Sequence, residues 1–115
     1  MLNGIEHVTI RVSNLENGLR FYRDVLGLKL QGQNENRYIQ FKVGRFRLFL
    51  QAGGDTRTTA TDIVIAFAVQ DIDMAYEELK RKGVLFSQPP KMQKFGSKTA
   101  LFRDPDGHIL ELVGN

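Results

Sequence analysis

The chain has 115 residues, 42% hydrophobic and 25% charged, a balance that suits one soluble globular domain and excludes a disordered one. With no cysteine it has no disulfide, thiolate metal site or thiol nucleophile, and no apolar run approaches the roughly 20 residues of a membrane-spanning helix. Sixteen Lys and Arg against 13 Asp and Glu give a net charge of +3, spread along the chain and densest at Lys80-Arg81-Lys82, where cations complement a helix C-terminus. Neither nucleic acid nor membrane is therefore an expected partner. The opening MLNGIEHVTI has no basic segment followed by an apolar one, so a cytoplasmic location is the default expectation.

Residues 7–12 alternate in polarity, the signature of a strand, and the spacing then becomes helical, with Leu15, Leu19, Tyr22 and Leu26 on one stripe. Ser13 with Glu16 fits a capping box, and Gly27 is suited to stop the helix. Strand-like runs follow at Gly27–Gln33, Tyr38–Val43 and Phe46–Gln51, separated by the turn signals Asn34-Glu35-Asn36 and Gly44-Arg45. A polar, glycine-rich stretch at Ala52–Ala60 reads as a linker.

The pattern then begins again. His7–Leu28 superposes on Val64–Leu85 without a gap: Val8, Ile10 and Val12 fall on Ile65, Phe67 and Val69, and Asn14-Leu15 on Asp71-Ile72. The second helix has Asp71 as its cap, Ile72, Ala75, Tyr76 and Leu79 as its stripe, and Gly83 as its end. Strands are predicted at Val84–Ser87, Thr99–Arg103 and Ile109–Val113, with Pro89–Ser97 a long loop and Asp104-Pro105-Asp106-Gly107 a strong turn. The fold class is therefore α+β, two tandem βαβββ modules in one domain: module one 1–53, a linker over 54–60, and module two 61–115.

Alternation also assigns faces. With Val8, Ile10 and Val12 packed under the helix, His7, Thr9 and Arg11 take the open face. Phe46, Leu48 and Leu50 point inward, leaving Arg47, Phe49 and Gln51 open; in module two Val64, Ala66 and Ala68 are open, as are Ile109, Glu111 and Val113. An open face carrying His, Arg, Gln and Glu calls for water or a ligand.

The segments HVTIRVSNLENGLRFYRDVLGLKL, IAFAVQDID and FRDPDGHILELV together resemble the vicinal oxygen chelate superfamily, which includes glyoxalases, bleomycin-resistance proteins, fosfomycin-resistance enzymes and extradiol dioxygenases. The match spans essentially the whole chain. It implies curved mixed sheets forming a cleft with helices on the convex side, a small-molecule ligand, and in many members a homodimer. It also implies that a metal would be held at His7, Phe49, Val64 and Glu111, Phe49 being the position that needs a gap to align. Only His7 and Glu111 carry donor atoms, so the implied metal site is incomplete; three protein ligands are the usual minimum. His108, three residues from Glu111, is expected to point elsewhere.

Two readings stay open at each position. His7 is a ligand or a structural histidine. Glu111, the one candidate for a catalytic group, contacts a ligand or makes an ion pair with His7, Arg11 or Arg47. Arg11 and Arg47 clasp an anion or are solvated. Phe49 offers an apolar surface where metal chemistry once sat, or merely packs. Met92 and Phe95 are lid candidates within Pro89–Ser97. The leading expectation is a metal-free small-molecule-binding protein of the bleomycin-resistance type, with no cofactor, that sequesters a drug or metabolite. The alternatives are a divergent lyase, isomerase or dioxygenase using a divalent metal, and a regulatory domain with a vestigial cleft.

Overall fold

A computed structural model describes residues 1–34, 37–53, 63–93 and 96–115. The chain divides into two compact units, Met1–Arg57 and Thr58–Asn115. The predicted linker over 54–60 and part of the turn Asn34-Glu35-Asn36 lie outside the described residues.

In the first unit β1 (His7–Val12) leads into α1 (Leu15–Leu19), continued by a π-helical stretch over Arg20–Val25, and then into β2 (Lys29–Asn34), β3 (Tyr38–Val43) and β4 (Phe46–Ala52). The second unit repeats the plan with β5 (Ile65–Ala68), α2 (Ile72–Arg81), β6 (Phe86–Met92), β7 (Lys98–Arg103) and β8 (Ile109–Gly114). The sheets have orders β1-β4-β3-β2 and β5-β8-β7-β6; β1–β4 and β5–β8 are parallel and the other pairs antiparallel. This is an α+β fold of two tandem βαβββ modules.

Each module buries one sheet face under its own helix. In the first, Ile10, Val12, Ile39, Phe41, Leu48 and Leu50 are buried with Tyr22, whose ring centroid lies 6.3 Å from that of Phe41. Gly18 is the point of closest approach, since a Cβ there would stand 3.0 Å from Leu50 Cδ1. In the second, Ile72 and Leu79 of α2 are buried together with Ala100, Phe102, Leu110 and Leu112. Phe86 bridges Tyr76 and Phe102, with ring centroids 4.7 and 5.3 Å away.

Four details differ from the sequence expectation. The cap of α1 is Asn14, not Ser13: Asn14 is extended (φ −145°, ψ 115°) and its Oδ1 accepts from Asn17 N at 2.9 Å. A Ser13 cap would start the helix one residue too early, whereas the repeat already aligned Asn14 with Asp71, whose Oδ1 accepts from Met74 N at 3.0 Å. The helix also widens after Leu19, with Leu26 N donating to Phe21 O at 2.9 Å, five residues back. Phe46 is 49% exposed rather than inward, because it sits at the start of β4 beyond the helix's cover.

The fourth difference is the largest. Pro89-Pro90 lie within β6 rather than in a loop beginning at Pro89, and the strand runs Phe86–Met92. β6 is an edge strand, and its register with β7 shifts on both sides of Gln88. A proline cannot donate to a ladder, so it is tolerated where the strand is at an edge and bulged.

Candidate functional site

The open face of the first sheet follows from its register. β1 and β4 are parallel with Cα partners His7–Arg47, Thr9–Phe49 and Arg11–Gln51, while β3 sets Tyr38 opposite Gln51, Gln40 opposite Phe49 and Lys42 opposite Arg47. All these residues alternate with the buried set, so they share the side that α1 does not cover. His7, Thr9, Tyr38, Phe49 and Gln51 line a concavity of about 160 Å³.

Phe49 is its centre. The His7 ring meets it at 5.0 Å and 73°, the Tyr38 ring at 5.7 Å and 68°, both edge-type contacts. The Arg47 guanidinium carbon lies 5.8 Å from the Phe49 centroid, within cation–π range. Arg47 Nη2 is ion-paired with Glu6 Oε1, and the same carboxylate oxygen stands 3.8 Å from His7 Nδ1. Gln40 Nε2 donates to Gln31 Oε1 at 2.8 Å, tying β3 to β2 on this face.

Of the residues predicted for the site, His7, Thr9, Phe49 and Gln51 therefore meet in one concavity, and Arg47 stands over its floor. Arg11 lies on the same face opposite Gln51, exposed, and its side chain makes no hydrogen bond or ion pair among the described residues. Two contributors went unassigned by sequence reasoning. Local periodicity puts Tyr38 in a strand but assigns it no face; the antiparallel pairing of β3 with β4 supplies one. Glu6 precedes β1, so strand alternation gave no signal for it.

The second unit holds Val64 and Glu111. Val64 is 41% exposed and lies just before β5. Glu111 is half-buried between Ala66 and Leu101, its Cα partners on β5 and β7, and its carboxylate makes no hydrogen bond or ion pair among the described residues. Met92 is exposed at the end of β6, and Phe95 lies outside the described residues.

His108 is engaged elsewhere. Its Nδ1 lies 2.8 Å from Asp104 Oδ2, while Asp104 Oδ1 accepts from Asp106 N at 3.0 Å and His108 N at 2.8 Å. Asp104 is the buried acid of the Asp-Pro-Asp-Gly turn, which makes that segment structural.

The donor set does not suit a metal of the kind the resemblance implies. Position 49, beside His7, carries a phenyl ring, and position 64 an isopropyl group; neither has a lone pair to give. Among the described residues no three His, Cys, Asp or Glu side chains are grouped to hold an ion.

The family model for the glyoxalase/bleomycin resistance protein/dioxygenase superfamily matches residues 4–112, and the chain belongs to that superfamily. It is 31% identical to a lactoylglutathione lyase of Neisseria meningitidis serogroup A, over 93% of this chain and 87% of the relative. It is 32% identical to the metallothiol transferase FosB of Shouchella clausii, over 97% and 80%. A solved superfamily member from Sphaerobacter thermophilus superposes with a TM-score of 0.82 at 29% identity, covering both chains fully. No helix among the described residues is long and apolar enough to cross a membrane.

Proposed function

We propose that this chain is a small-molecule-binding protein of the glyoxalase/bleomycin-resistance type whose metal site has degenerated, and that it holds a drug or metabolite, as a homodimer, without turning it over. The observation that carries the reading is Phe49. Where the resemblance implies a metal ligand, a ring is packed against His7 and Tyr38, turning the centre of the face from a donor cluster into an aromatic floor. Thr9, Gln51 and the Tyr38 hydroxyl supply the few polar groups that orient a ligand on such a surface.

The test is a thermal-shift screen of organic compounds on chelator-treated protein. Binding to the folded state alone raises Tm by mass action, so hits are expected without metal and are expected to be lost in Phe49→Ala. If no compound binds, the reading fails.

A second reading has its own support in the similarity to the lactoylglutathione lyase and FosB. It is a divergent metal-dependent lyase, isomerase or oxygenase, with His7 and Glu111 as the remaining donors. Elemental mass spectrometry of protein purified without chelator separates the two. About one equivalent of a transition metal per chain, lost in His7→Ala and in Glu111→Gln, favours the enzyme; a metal content far below that favours the binding protein.

A further inference from the structure

The first unit's face carries a pronounced charge asymmetry. Its strand positions include Arg11 on β1, Lys29 on β2, Lys42 on β3 and Arg47 on β4, with Lys29 and Lys42 register partners and Lys42 opposite Arg47. No strand position on this face carries a carboxylate. Among the described residues the acid that reaches it is Glu6, from the segment before β1, and it pairs with Arg47, the cation over the aromatic floor. Both partners are well exposed, 44% for the Arg47 side chain and 66% for Glu6, so the pair is weak and water competes for each of its atoms.

Size and shape narrow the ligand further. The concavity of about 160 Å³ is that of one ring; an apolar protein cavity of about 150 Å³ holds benzene. The half-buried ring of Phe49 offers a stacking partner, and the rings of His7 and Tyr38, steeply inclined to it, line the same concavity.

Building on the small-molecule reading, we infer that the ligand is a monocyclic aromatic oxyanion. Its ring lies on Phe49, and its carboxylate or equivalent replaces the Glu6 carboxylate on Arg47. Glu6 is then an internal stand-in for the ligand's charge: it neutralises Arg47 in the free protein and is displaced on binding. The exchange is favourable because the ligand's oxyanion, which a guanidinium can pair with as it does with Glu6, arrives with a stacked ring, whereas Glu6 brings only its charge.

The experiment is NMR titration of the full, chelator-treated chain with benzoate, benzamide and cyclohexanecarboxylate, repeated on Glu6→Gln. Benzoate is expected to shift β1 and β4 amides saturably. Benzamide, which lacks the charge, and cyclohexanecarboxylate, which lacks the planar ring, are each expected to bind at least about fivefold more weakly. Removing the competing carboxylate in Glu6→Gln is expected to tighten benzoate roughly 1.5- to 5-fold and leave benzamide unchanged, the gain shrinking as salt screens the pair. Benzamide binding as well as benzoate, or Glu6→Gln leaving benzoate unaltered, overturns the oxyanion assignment while small-molecule binding on this face stands. No benzoate binding at all overturns it too, and the wider screen then decides the small-molecule reading separately.

Discussion

Asp104 offers a prediction whose size can be worked from geometry. Its side chain is fully enclosed, and among the partners of its two oxygens are three on this turn: the backbone N–H groups of Asp106 and His108, and the His108 ring. Replacement by Ala removes all three at once and leaves two turn amides without their acceptor. Hydrogen bonds to a charged acceptor contribute about 1.5–3 kcal/mol each where water is excluded, and less where it can step in, as at the half-buried Asp106 and His108. A loss of about 3–4 kcal/mol is expected, which for a domain of this size lowers Tm by roughly 12–20 °C. Asp104→Asn is the discriminating variant. Its amide oxygen still accepts from both backbone groups, and its NH2 can donate to a neutral imidazole, so it should cost only about 1 kcal/mol. Urea unfolding followed by circular dichroism measures both, provided the slope m is unchanged. Equal losses for Ala and Asn would refute the argument, since the backbone acceptor would then not be what holds the turn. The consequence reaches Glu111, because this turn sets the β7–β8 register that places it opposite Leu101.

Other expectations can be checked in the same assay. A Cβ at residue 114 would stand 2.3 Å from Val69 O, so Gly114→Ala should force β8 away from Val69 and cost about 1–3 kcal/mol. Asn14→Ala and Asp71→Ala each remove a side-chain acceptor from a helix N-terminus and should each cost about 1 kcal/mol, the equivalence following from the internal repeat. Phe41 is fully buried against Tyr22, and Phe41→Ala should cost about 3–5 kcal/mol. A value near that for the half-buried Phe49→Ala would mean that Phe49 serves the core rather than a ligand.

Much of the fold is legible because it is written in local periodicities. A period of two followed by a helical period, repeated at a fixed offset, gives strand, helix and module; alternation alone puts His7, Thr9 and Arg11 on one side and Ile10 and Val12 on the other. The same locality explains the errors. Ser13 and Asn14 are both good cap residues, and only the backbone geometry of the next turn chooses between them. Pro89-Pro90 reads as loop because proline is foreign to strands in general, and its tolerance depends on β6 being at a sheet edge, which no local pattern records.

The sequence by itself determined the two βαβββ modules, the residues of each open face, the family resemblance, and the lack of donor atoms at positions 49 and 64. These follow from side-chain chemistry and near-neighbour spacing. Tertiary structure decided which of those residues meet. The parallel pairing of β1 with β4 brings Phe49 to His7, the antiparallel pairing of β3 with β4 brings Tyr38 to the same ring, and the chain entering β1 carries Glu6 to Arg47. The β1–β4 partners lie 40 positions apart, and such contacts depend on register, which is set by the packing of the whole sheet against its helix rather than by any segment read alone.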